Sequence, residues 1–510
     1  LELAGNLAVT GDYSSTTAGT SNLRLGVNAG NSITSGGNYN VVVGDEAGTA
    51  LTTGDDNVAI GYAALDAEDT GTKSIAIGTN ALGAQNIDGA SHNVAVGHHA
   101  GTTITSGSFN TLVGNLTGDA LTTGTENVAF GLSALGGDVA GNKATALGRG
   151  ALKVQNFTTS TDSYNTAVGY DAGAAITTGI KNVLIGGLAG DALTDADNNV
   201  AMGYEALSAD TQGSRSVALG HLTLSSQNFT TATDSYNIAV GSHAGVSLTT
   251  GIENVLIGGK AGDALTDADF NVVLGAFALT TDTLGSKSTA IGAATLNKQN
   301  FTTATDSLNT AVGFSAGKEV TTGVQNTLIG GLAGDALTDA DHNVAVGLNA
   351  LSADTLGSKS TAIGTGALGT QNFTTATDAY NVAVGYDAGV AVTTGVNNTL
   401  IGSVAGDAIT TANSIVAVGY SAAGNITTGS NNVAVGQNAL ASSRTDTSNV
   451  AVGHESLLTL NGGGLNTAMG FQSGRAVTTG EMNTAVGAEA GDAITTGNVN
   501  AALGFRALSS

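Results

Sequence analysis

The sequence Asn93-Val-Ala-Val-Gly97 recurs along the chain and determines its fold. Close copies are Asn165–Gly169 and Asn381–Gly385, and a related form is Asn182–Gly186. There are 28 copies, and most are 17 residues apart when measured between their closing glycines. A period this short and regular is typical of a solenoid, in which each repeat forms one coil that stacks on the coil before it.

A larger unit appears in the middle of the chain. Between about residues 94 and 385 the spacings read 17, 17, 17 and 21, so four coils form a 72-residue super-repeat that occurs four times. The four extra residues lie in segments such as Gln227–Tyr236, which begin with Gln-Asn-Phe-Thr at 155–158, 227–230, 299–302 and 371–374. Because the next copy of the repeat stays intact, we expect these insertions to bulge outward as loops. Residues 1–21 are predicted to be an N-terminal cap or linker, and residues 22–510 the repeat array.

Three residues before each closing glycine are almost always apolar or Thr, as in Val94-Ala-Val96. We number positions from that glycine, which is position 0. Such short runs, rich in β-branched residues, predict a strand whose successive side chains point to opposite faces. Positions −3 and −1 therefore face one way and position −2 the other. The predicted fold class is all-β, a parallel β-solenoid of about 28 stacked coils with almost no helix.

Position −2 is Ala in most coils, with Leu recurring at one register of the super-repeat. One strand face would line the coil's own core, and a ladder of small apolar side chains on the other would suit close approach of another chain. This predicts a homotrimer whose axis is lined by residues such as Ala95, Leu112, Ala167, Leu184 and Leu256. The alternative is a wider coil that buries both faces itself.

Two further positions are predicted to have structural roles. The glycine at position 0 is expected to take a positive φ and turn the chain. Asparagine at position −4, present in 22 coils, would stack on its neighbours as a hydrogen-bonded amide ladder. The structural residues predicted in this way include Asn93, Gly97, Asn165, Gly169, Asn182, Gly186, Asn381 and Gly385.

Composition argues against several classes of function. The formal net charge is −25, which disfavours nucleic-acid binding because that requires cations opposite phosphates. The chain has no cysteine, so disulfides and thiolate metal sites are excluded. No apolar run approaches the roughly 18 residues that a membrane helix needs. Since the chain starts at Leu1 without a signal segment, we expect a processed product or a piece of something longer.

The pattern Asn-x-Ala-Val-Gly-x-x-Ala, as in residues 165–182 and 381–398, resembles known repeats. It is similar to the head repeats of trimeric autotransporter adhesins. It is more similar to the 17-residue repeats of phage tail fibres and surface proteins that carry an endosialidase-type C-terminal chaperone. The resemblance covers residues 22–510 and implies a left-handed β-roll, three chains in one fibre, and an adhesive or host-recognition role outside the cell, at a cell surface or on a virion. The chain departs from the adhesins in its longer repeat, and its sequence shows no membrane anchor, heptad stalk or chaperone domain.

Candidate chemical sites are few. The seven histidines, which include the adjacent pair His98 and His99, are scattered near coil corners and share no catalytic or metal-ligand spacing. We therefore predict no catalytic residue, no cofactor and no enzymatic activity. The carboxylates of Asp191, Asp195 and Asp197 recur every 72 residues and would suit calcium together with backbone carbonyls. A solvated acidic corner is the simpler interpretation of these residues.

Two other patterns have alternative interpretations. Thr-Thr-Gly corners would suit ice binding as an unbroken ladder, but Asp69-Thr70 and Thr194-Asp195 interrupt it. The Gln-Asn-Phe-Thr insertions contain Asn-x-Thr sequons and aromatic residues. Phe157 and its equivalents either form a repeated contact surface for glycans or neighbouring fibres, or fold back to cover the coil, which we favour.

Two functions fit these observations. The first is a non-enzymatic extracellular fibre or adhesin, a rigid trimeric shaft or head for attachment to a surface or host, with a cell-surface or glycan receptor. The second is a structural filament or surface-layer subunit that polymerises end to end. In both, the main partner is another copy of the chain, and neither involves nucleic acid or a membrane span in this chain.

Overall fold

A computed structural model describes residues 18–509, which form strands and turns but no helix. The chain divides into two compact units, residues 1–250 and 251–510. The first unit contains 13 three-residue strands and the second 15, one for each of 28 coils. The predicted all-β parallel solenoid is therefore confirmed, as is the number of coils. The cap or linker predicted for residues 1–21 lies mostly outside the described residues.

Each three-residue strand occupies positions −3 to −1 of its coil. In the first unit these strands are Leu23–Leu25, Val41–Val43, Val58–Ile60, Ile75–Ile77, Val94–Val96, Thr111–Val113, Val128–Phe130, Thr145–Leu147, Thr166–Val168, Val183–Ile185, Val200–Met202, Val217–Leu219 and Ile238–Val240. In the second unit they are Val255–Ile257, Val272–Leu274, Thr289–Ile291, Thr310–Val312, Thr327–Ile329, Val344–Val346, Thr361–Ile363, Val382–Val384, Thr399–Ile401, Val416–Val418, Val433–Val435, Val450–Val452, Thr467–Met469, Thr484–Val486 and Ala501–Leu503.

The 21-residue coils keep the register of the main ladder. Thr145 pairs with Thr166 across the longer spacing just as Thr166 pairs with Val183 across the ordinary one. The end of each insertion forms a second, two-residue parallel ladder with the preceding coil, so it is more ordered than the predicted loop. These ladders are Gly141–Asn142 with Thr161–Asp162, Gly213–Ser214 with Thr233–Asp234, Gly285–Ser286 with Thr305–Asp306, and Gly357–Ser358 with Thr377–Asp378.

The side chains at position −2 point into the core of their own coil. Those predicted to line a trimer axis are fully buried within the single chain: Ala95, Leu112, Ala167, Leu184 and Leu256. The prediction that this face meets another chain is therefore wrong. Position −2 shares a strand face with the buried asparagine at −4, because alternate residues of a strand point the same way. Positions −3 and −1 instead face outward.

Every coil bends at its closing glycine, and the predicted positive φ is confirmed at Gly97 (142°), Gly169 (144°), Gly186 (139°) and Gly385 (144°). A Cβ on Gly186 would lie 2.4 Å from the carbonyl oxygen of the glycine in the next coil. Position 0 therefore requires glycine for space as well as for backbone conformation. We expect any side chain there to separate two stacked coils locally.

Sequence reasoning missed three further left-handed positions in each coil, at −5, +2 and +4. Non-glycine residues occupy many of them, for example Lys181 (φ 59°) and Leu188 (φ 58°). The left-handed conformation costs such residues roughly 1–2 kcal/mol each. Hydrogen bonds between coils offset this cost: the amide of Lys181 donates to Ser163 O over 2.7 Å, and that of Leu188 to Tyr170 O over 2.9 Å.

Most coils fill the core in one of two ways. Apolar-walled coils have glycine at +4 and an aliphatic residue at +7, as with Gly190 and Leu193. Polar-walled coils have leucine at +4 and Asp, Glu or Gln at +7, as with Leu207 and Asp210. A Cβ on Gly190 would lie 2.8 Å from Leu193 Cδ1. The aliphatic residue at +7 therefore occupies space that glycine at +4 leaves open, although the coil of Gly453 buries two leucines at these positions, Leu457 and Leu460.

Candidate functional surfaces

The asparagines at position −4 tie successive coils together. The backbone N–H of Asn182 donates to Asn165 Oδ1 over 2.9 Å, and the backbone N–H of Asn110 donates to Asn93 Oδ1 over the same distance. Each side-chain amide also crosses the coil interior: Asn182 Nδ2 donates to Ala196 O over 2.8 Å. Amide-to-amide contacts are longer, as between Asn182 Nδ2 and Asn165 Oδ1 at 3.3 Å. The ladder therefore joins side chains mainly to backbone groups, which gives it a structural role.

Polar-walled coils enclose a second hydrogen-bond network. Gln227 Nε2 donates to Asp210 Oδ2 over 2.6 Å and to Ser216 Oγ over 2.8 Å. The other carboxylate oxygen, Asp210 Oδ1, accepts from the backbone amides of Gly213 and Phe229, both over 3.0 Å. Burial raises the pKa of Asp210, and these hydrogen bonds oppose that effect. The same carboxylate–glutamine contact recurs between Glu68 and Gln85, Asp138 and Gln155, Asp282 and Gln299, and Asp354 and Gln371.

The phenylalanines of the insertions lie against the coil. Phe157, Phe229, Phe301 and Phe373 are each no more than 6% exposed. The favoured interpretation, that these rings fold back to cover the coil, is confirmed. On the outside of the same insertions, Lys143 Nζ lies 2.6 Å from Asp162 Oδ2. This contact raises the pKa of Lys143 and lowers that of Asp162.

The three calcium candidates do not converge on one site. Thr178 Oγ1 donates to Asp195 Oδ1 over 2.5 Å, and the Ile180 amide donates to Asp197 Oδ1 over 2.8 Å. Asp191 stands apart, with a buried Oδ1 that has no hydrogen-bond partner. Burial is the largest cause that raises its pKa. Within residues 18–509, no three His, Cys, Asp or Glu side chains are grouped to hold a metal ion.

The histidines lie on the outside of coil corners, mostly beside aromatic rings. His98 and His99 pack edge to face with their ring centroids 4.1 Å apart. The ring of His221 stacks on Tyr204 at 5.9 Å, and that of His454 on Phe471 at 5.4 Å. Ring stacking between residues of neighbouring coils stabilises the packing of those coils.

The threonines at position +8 use their hydroxyl groups within the protein. Thr177 Oγ1 donates to Thr194 O over 3.2 Å, Thr194 Oγ1 to Thr211 O over 3.0 Å, and Thr393 Oγ1 to Thr410 O over 3.1 Å. Each of these hydroxyl groups therefore donates its hydrogen to a carbonyl oxygen of the next coil. This use weakens the ice-binding interpretation of the Thr-Thr-Gly corners.

The outward strand face is an apolar strip with no charged residue. Position −1 is Val, Ile, Leu, Met or Phe in all 28 coils, and position −3 is Val, Ile, Leu, Ala or Thr. Most of these side chains are partly exposed, and Phe130 is 59% and Leu274 45% exposed. With strands about 4.8 Å apart, the strip on the 13 coils of the first unit extends about 60 Å. At a width of roughly 10 Å it would cover on the order of 600 Å², the upper end for an apolar patch on a monomer.

The two types of coil are marked in the sequence by residues outside the Asn-x-Ala-Val-Gly repeat. Serine replaces asparagine at −4 in Ser74, Ser216, Ser288 and Ser360, always 11 residues before a buried glutamine. Likewise, glycine at +4 accompanies an aliphatic residue at +7, which marks the apolar-walled coils. Both signals require comparison of positions within a coil rather than a search for the repeat itself.

No protein-family model matches the chain, and no curated protein matches its sequence. None of residues 18–509 forms a helix that could span a membrane. The fold that this chain is shown to have is thus a parallel β-solenoid with 28 coils.

Proposed function

We propose that this chain is a non-enzymatic fibre protein that acts outside the cell, at a cell surface or on a virion, and that three copies associate into one shaft or head for attachment. The observation that carries the proposal is the uncharged apolar strip at positions −3 and −1. Exposed apolar patches near this size are often functional, and larger ones mark surfaces that associate with another protein. A second copy of the chain has strands at the same spacing, so every coil of one copy would contact the equivalent coil of the other.

The rest of the chain is suited to a scaffold. Asparagine, threonine and glutamine side chains are used in hydrogen bonds between coils, and histidines are used in ring stacking. Each coil is stabilised by its own core and its two neighbours, so stability is distributed along the array. A left-handed roll, as the resemblance implies, belongs to the same proposal.

The test is the oligomeric state of the purified chain and of a matched pair of variants. Light scattering and native mass spectrometry should give three chains per particle. Val113→Glu places a charge in the strip at position −1, whereas Thr123→Glu places it on an exposed site of the same coil. The first variant should weaken association and the second should leave it unchanged. A wild-type chain that stays monomeric at micromolar concentration would refute the trimer.

The second candidate function is a structural filament, in which copies of the chain associate end to end rather than side by side. Electron micrographs distinguish the two, because a fibre for attachment gives particles of one length. Filaments that lengthen with protein concentration, with Val113→Glu assembling as the wild type does, would favour end-to-end polymerisation instead.

A further inference from the structure

Each of the four insertions carries an Asn-x-Thr sequon on its outer surface. The sequons occupy the same positions of their coils, +8 to +10, and recur every 72 residues, at 156–158, 228–230, 300–302 and 372–374. Such a sequence is the signature of an acceptor for N-linked sugars, which lie on surface segments of secreted proteins. We call these four segments the insertion sequons.

The buried phenylalanine in the middle of each insertion sequon leaves the asparagine and the threonine on the outside. Phe229 is 6% exposed, and its amide donates to the buried carboxylate of Asp210 over 3.0 Å. Asn228 and Thr230, on either side of this ring, are exposed. The contacts of the phenylalanine with the coil thus hold the sequon in place with its two polar side chains in solvent.

The atoms that glycosylation uses are free of hydrogen bonds in all four insertion sequons. Among residues 18–509, none accepts from the Nδ2 atoms of Asn156, Asn228, Asn300 and Asn372, and none bonds the hydroxyl groups of Thr158, Thr230, Thr302 and Thr374. Where such an asparagine forms a side-chain hydrogen bond it uses Oδ1, as when Asn228 Oδ1 accepts from Thr211 Oγ1 over 3.1 Å. By contrast, Asn182 Nδ2 at position −4 donates to a carbonyl oxygen across the coil. The insertion sequons therefore present both groups to solvent, although Asn300 is half-buried as a residue.

Three other sequons of the chain provide an internal contrast. Asn425 Nδ2 and Thr427 Oγ1 donate to carbonyl oxygens of the next coil over 2.6 and 3.0 Å. Thr117, of the sequon at 115–117, is fully buried, and its Oγ1 donates to a carbonyl oxygen over 2.7 Å. The third sequon, at 397–399, ends in the first residue of a strand, on the apolar strip. An enzyme that contacts the threonine would have to displace these hydrogen bonds or a neighbouring copy, whereas the insertion sequons require neither.

N-glycosylation transfers a sugar from a glycosyl diphosphate to the side-chain amide of asparagine. Nδ2 forms a bond to the anomeric carbon of the sugar, and the bond between that carbon and the diphosphate oxygen breaks. The diphosphate leaves with the electron pair, and Nδ2 gives up one proton to a base of the transferase. Because the lone pair of an amide nitrogen is delocalised into the carbonyl group, the transferase must hold the amide closely and disturb this conjugation. An Nδ2 atom without a hydrogen-bond partner leaves the amide free for that step.

We propose that this chain is N-glycosylated at the insertion sequons, on Asn156, Asn228, Asn300 and Asn372, by a transferase that uses a lipid-linked or nucleoside-linked glycosyl diphosphate. This inference rests on the proposed function in one respect, because N-linked sugars are typical of secreted proteins. Each compact unit carries two of the acceptors, four coils or roughly 19 Å apart. All four lie outside positions −3 and −1, so the modified residues are not part of the apolar strip.

The experiment is peptide mapping by mass spectrometry of the full chain made in the cells that naturally produce it, with fragmentation that locates any attached mass at a single residue. The sequon variant combines Thr158→Ala, Thr230→Ala, Thr302→Ala and Thr374→Ala, which keeps every asparagine. The matched control combines Thr159→Ala, Thr231→Ala, Thr303→Ala and Thr375→Ala, which are the exposed threonines one residue further along. A rescue variant has serine in place of the four sequon threonines. Circular dichroism melting shows that each variant keeps its fold.

We expect sugar on the asparagines of the insertion sequons and none on Asn115, Asn397 and Asn425. The sequon variant should lose the attached mass at all four sites, whereas the control and serine variants should keep it. A single oligosaccharide composition indicates the lipid-linked donor, and a series that grows by single sugars indicates the nucleoside-linked donor; both support the proposal. A wild-type chain without sugar at the four sites, sugar that persists in the sequon variant, or equal occupancy of Asn425 would overturn it.

Light scattering on the same samples separates this inference from the proposed function. A monomer with sugar at the insertion sequons refutes the trimer and leaves the modification supported. A trimer without sugar refutes the modification and leaves the fibre supported.

Discussion

The neighbouring coils of Gly186 and Gly203 have the same length and the same strand pattern but different interiors. The first has Leu193 at position +7, packed in the space that Gly190 leaves open. The second has Asp210 at that position, fully buried and hydrogen-bonded to Gln227 of the next coil. An apolar wall requires only a side chain of suitable volume. A polar wall requires a particular partner 17 residues later.

This difference explains where the long coils occur. Each 21-residue coil follows a polar-walled coil, and its glutamine and phenylalanine amide bind the carboxylate of that coil, as Gln227 and Phe229 bind Asp210. Buried polar groups fix the register of packed elements in some well-studied systems. We infer that the carboxylate fixes the register of the insertion, since an apolar wall would accept several alignments.

The largest effect should come from breaking the polar wall. Gln227→Leu keeps nearly the same volume but removes the donor to Asp210 and Ser216. Loss of the hydrogen-bond partner of a buried polar group typically costs about 1–3 kcal/mol, and more when the group is charged. Leu193→Met is the matched change in the apolar wall, where a swap that conserves volume costs less than about 1.5 kcal/mol. Chemical denaturation measures the free energy of unfolding of both variants. Equal, small losses would show that the polar wall does not require a particular partner residue.

A smaller effect should come from overfilling the apolar wall. Gly190→Ala places a Cβ 2.8 Å from both Leu184 Cδ2 and Leu193 Cδ1. Overpacking of this kind costs about 1–3 kcal/mol. In the background of Leu193→Ala, which leaves a cavity, the same change should be neutral or stabilising. A double-mutant cycle should therefore give a coupling energy of about 0.5–3 kcal/mol, and additive effects would contradict direct packing between these two positions.

The apolar wall and the main ladder were predictable because each depends on residues close in sequence. The strand at positions −3 to −1 and the bend at Gly186 follow from β-branched residues and a required glycine. The direction of position −2 was not predictable from Ala and Val alone, because a three-residue strand with two apolar faces gives no sign of which face is inside. Asn182, buried on the same face as Leu184, was the overlooked indicator.

The polar wall was harder to predict because its members are brought together only by stacking. Asp210 and Gln227 are 17 residues apart and lie in successive coils. This pair does not stand out until the coils are aligned position by position. The left-handed backbone at Lys181 and Leu188 could not be predicted at all from residue type, since neither residue favours it.

The pH dependence of stability should also distinguish the two walls. Burial raises the pKa of Asp210 above its unfolded value, so this group contributes most below the unfolded pKa of about 4 and its contribution is lost as pH rises through the folded pKa. Asp210→Asn removes this titration and keeps an acceptor for Gln227. We expect the wild type to lose stability relative to the variant as pH rises from about 4. Leu193→Met should follow the wild-type profile, and parallel curves for all three proteins would contradict the expectation.

The smallest effect should come from a deletion that removes both types of coil and keeps the register of the coils that remain. Deletion of residues 165–236 takes out one 72-residue super-repeat and joins Tyr164 to Asn237, which reproduces the junction between Tyr236 and Asn237. Nearest-neighbour contacts are then of the same types as before, so the melting temperature should change little and a fibre should shorten by roughly 19 Å, or four strand spacings. Deletion of the single coil 199–215 is the contrast, because it removes Asp210 and stacks Gln227 against an apolar wall. If the melting temperature after the 17-residue deletion were as high as after the 72-residue deletion, the order of coils in the four-coil unit would not affect stability and the coils would be interchangeable.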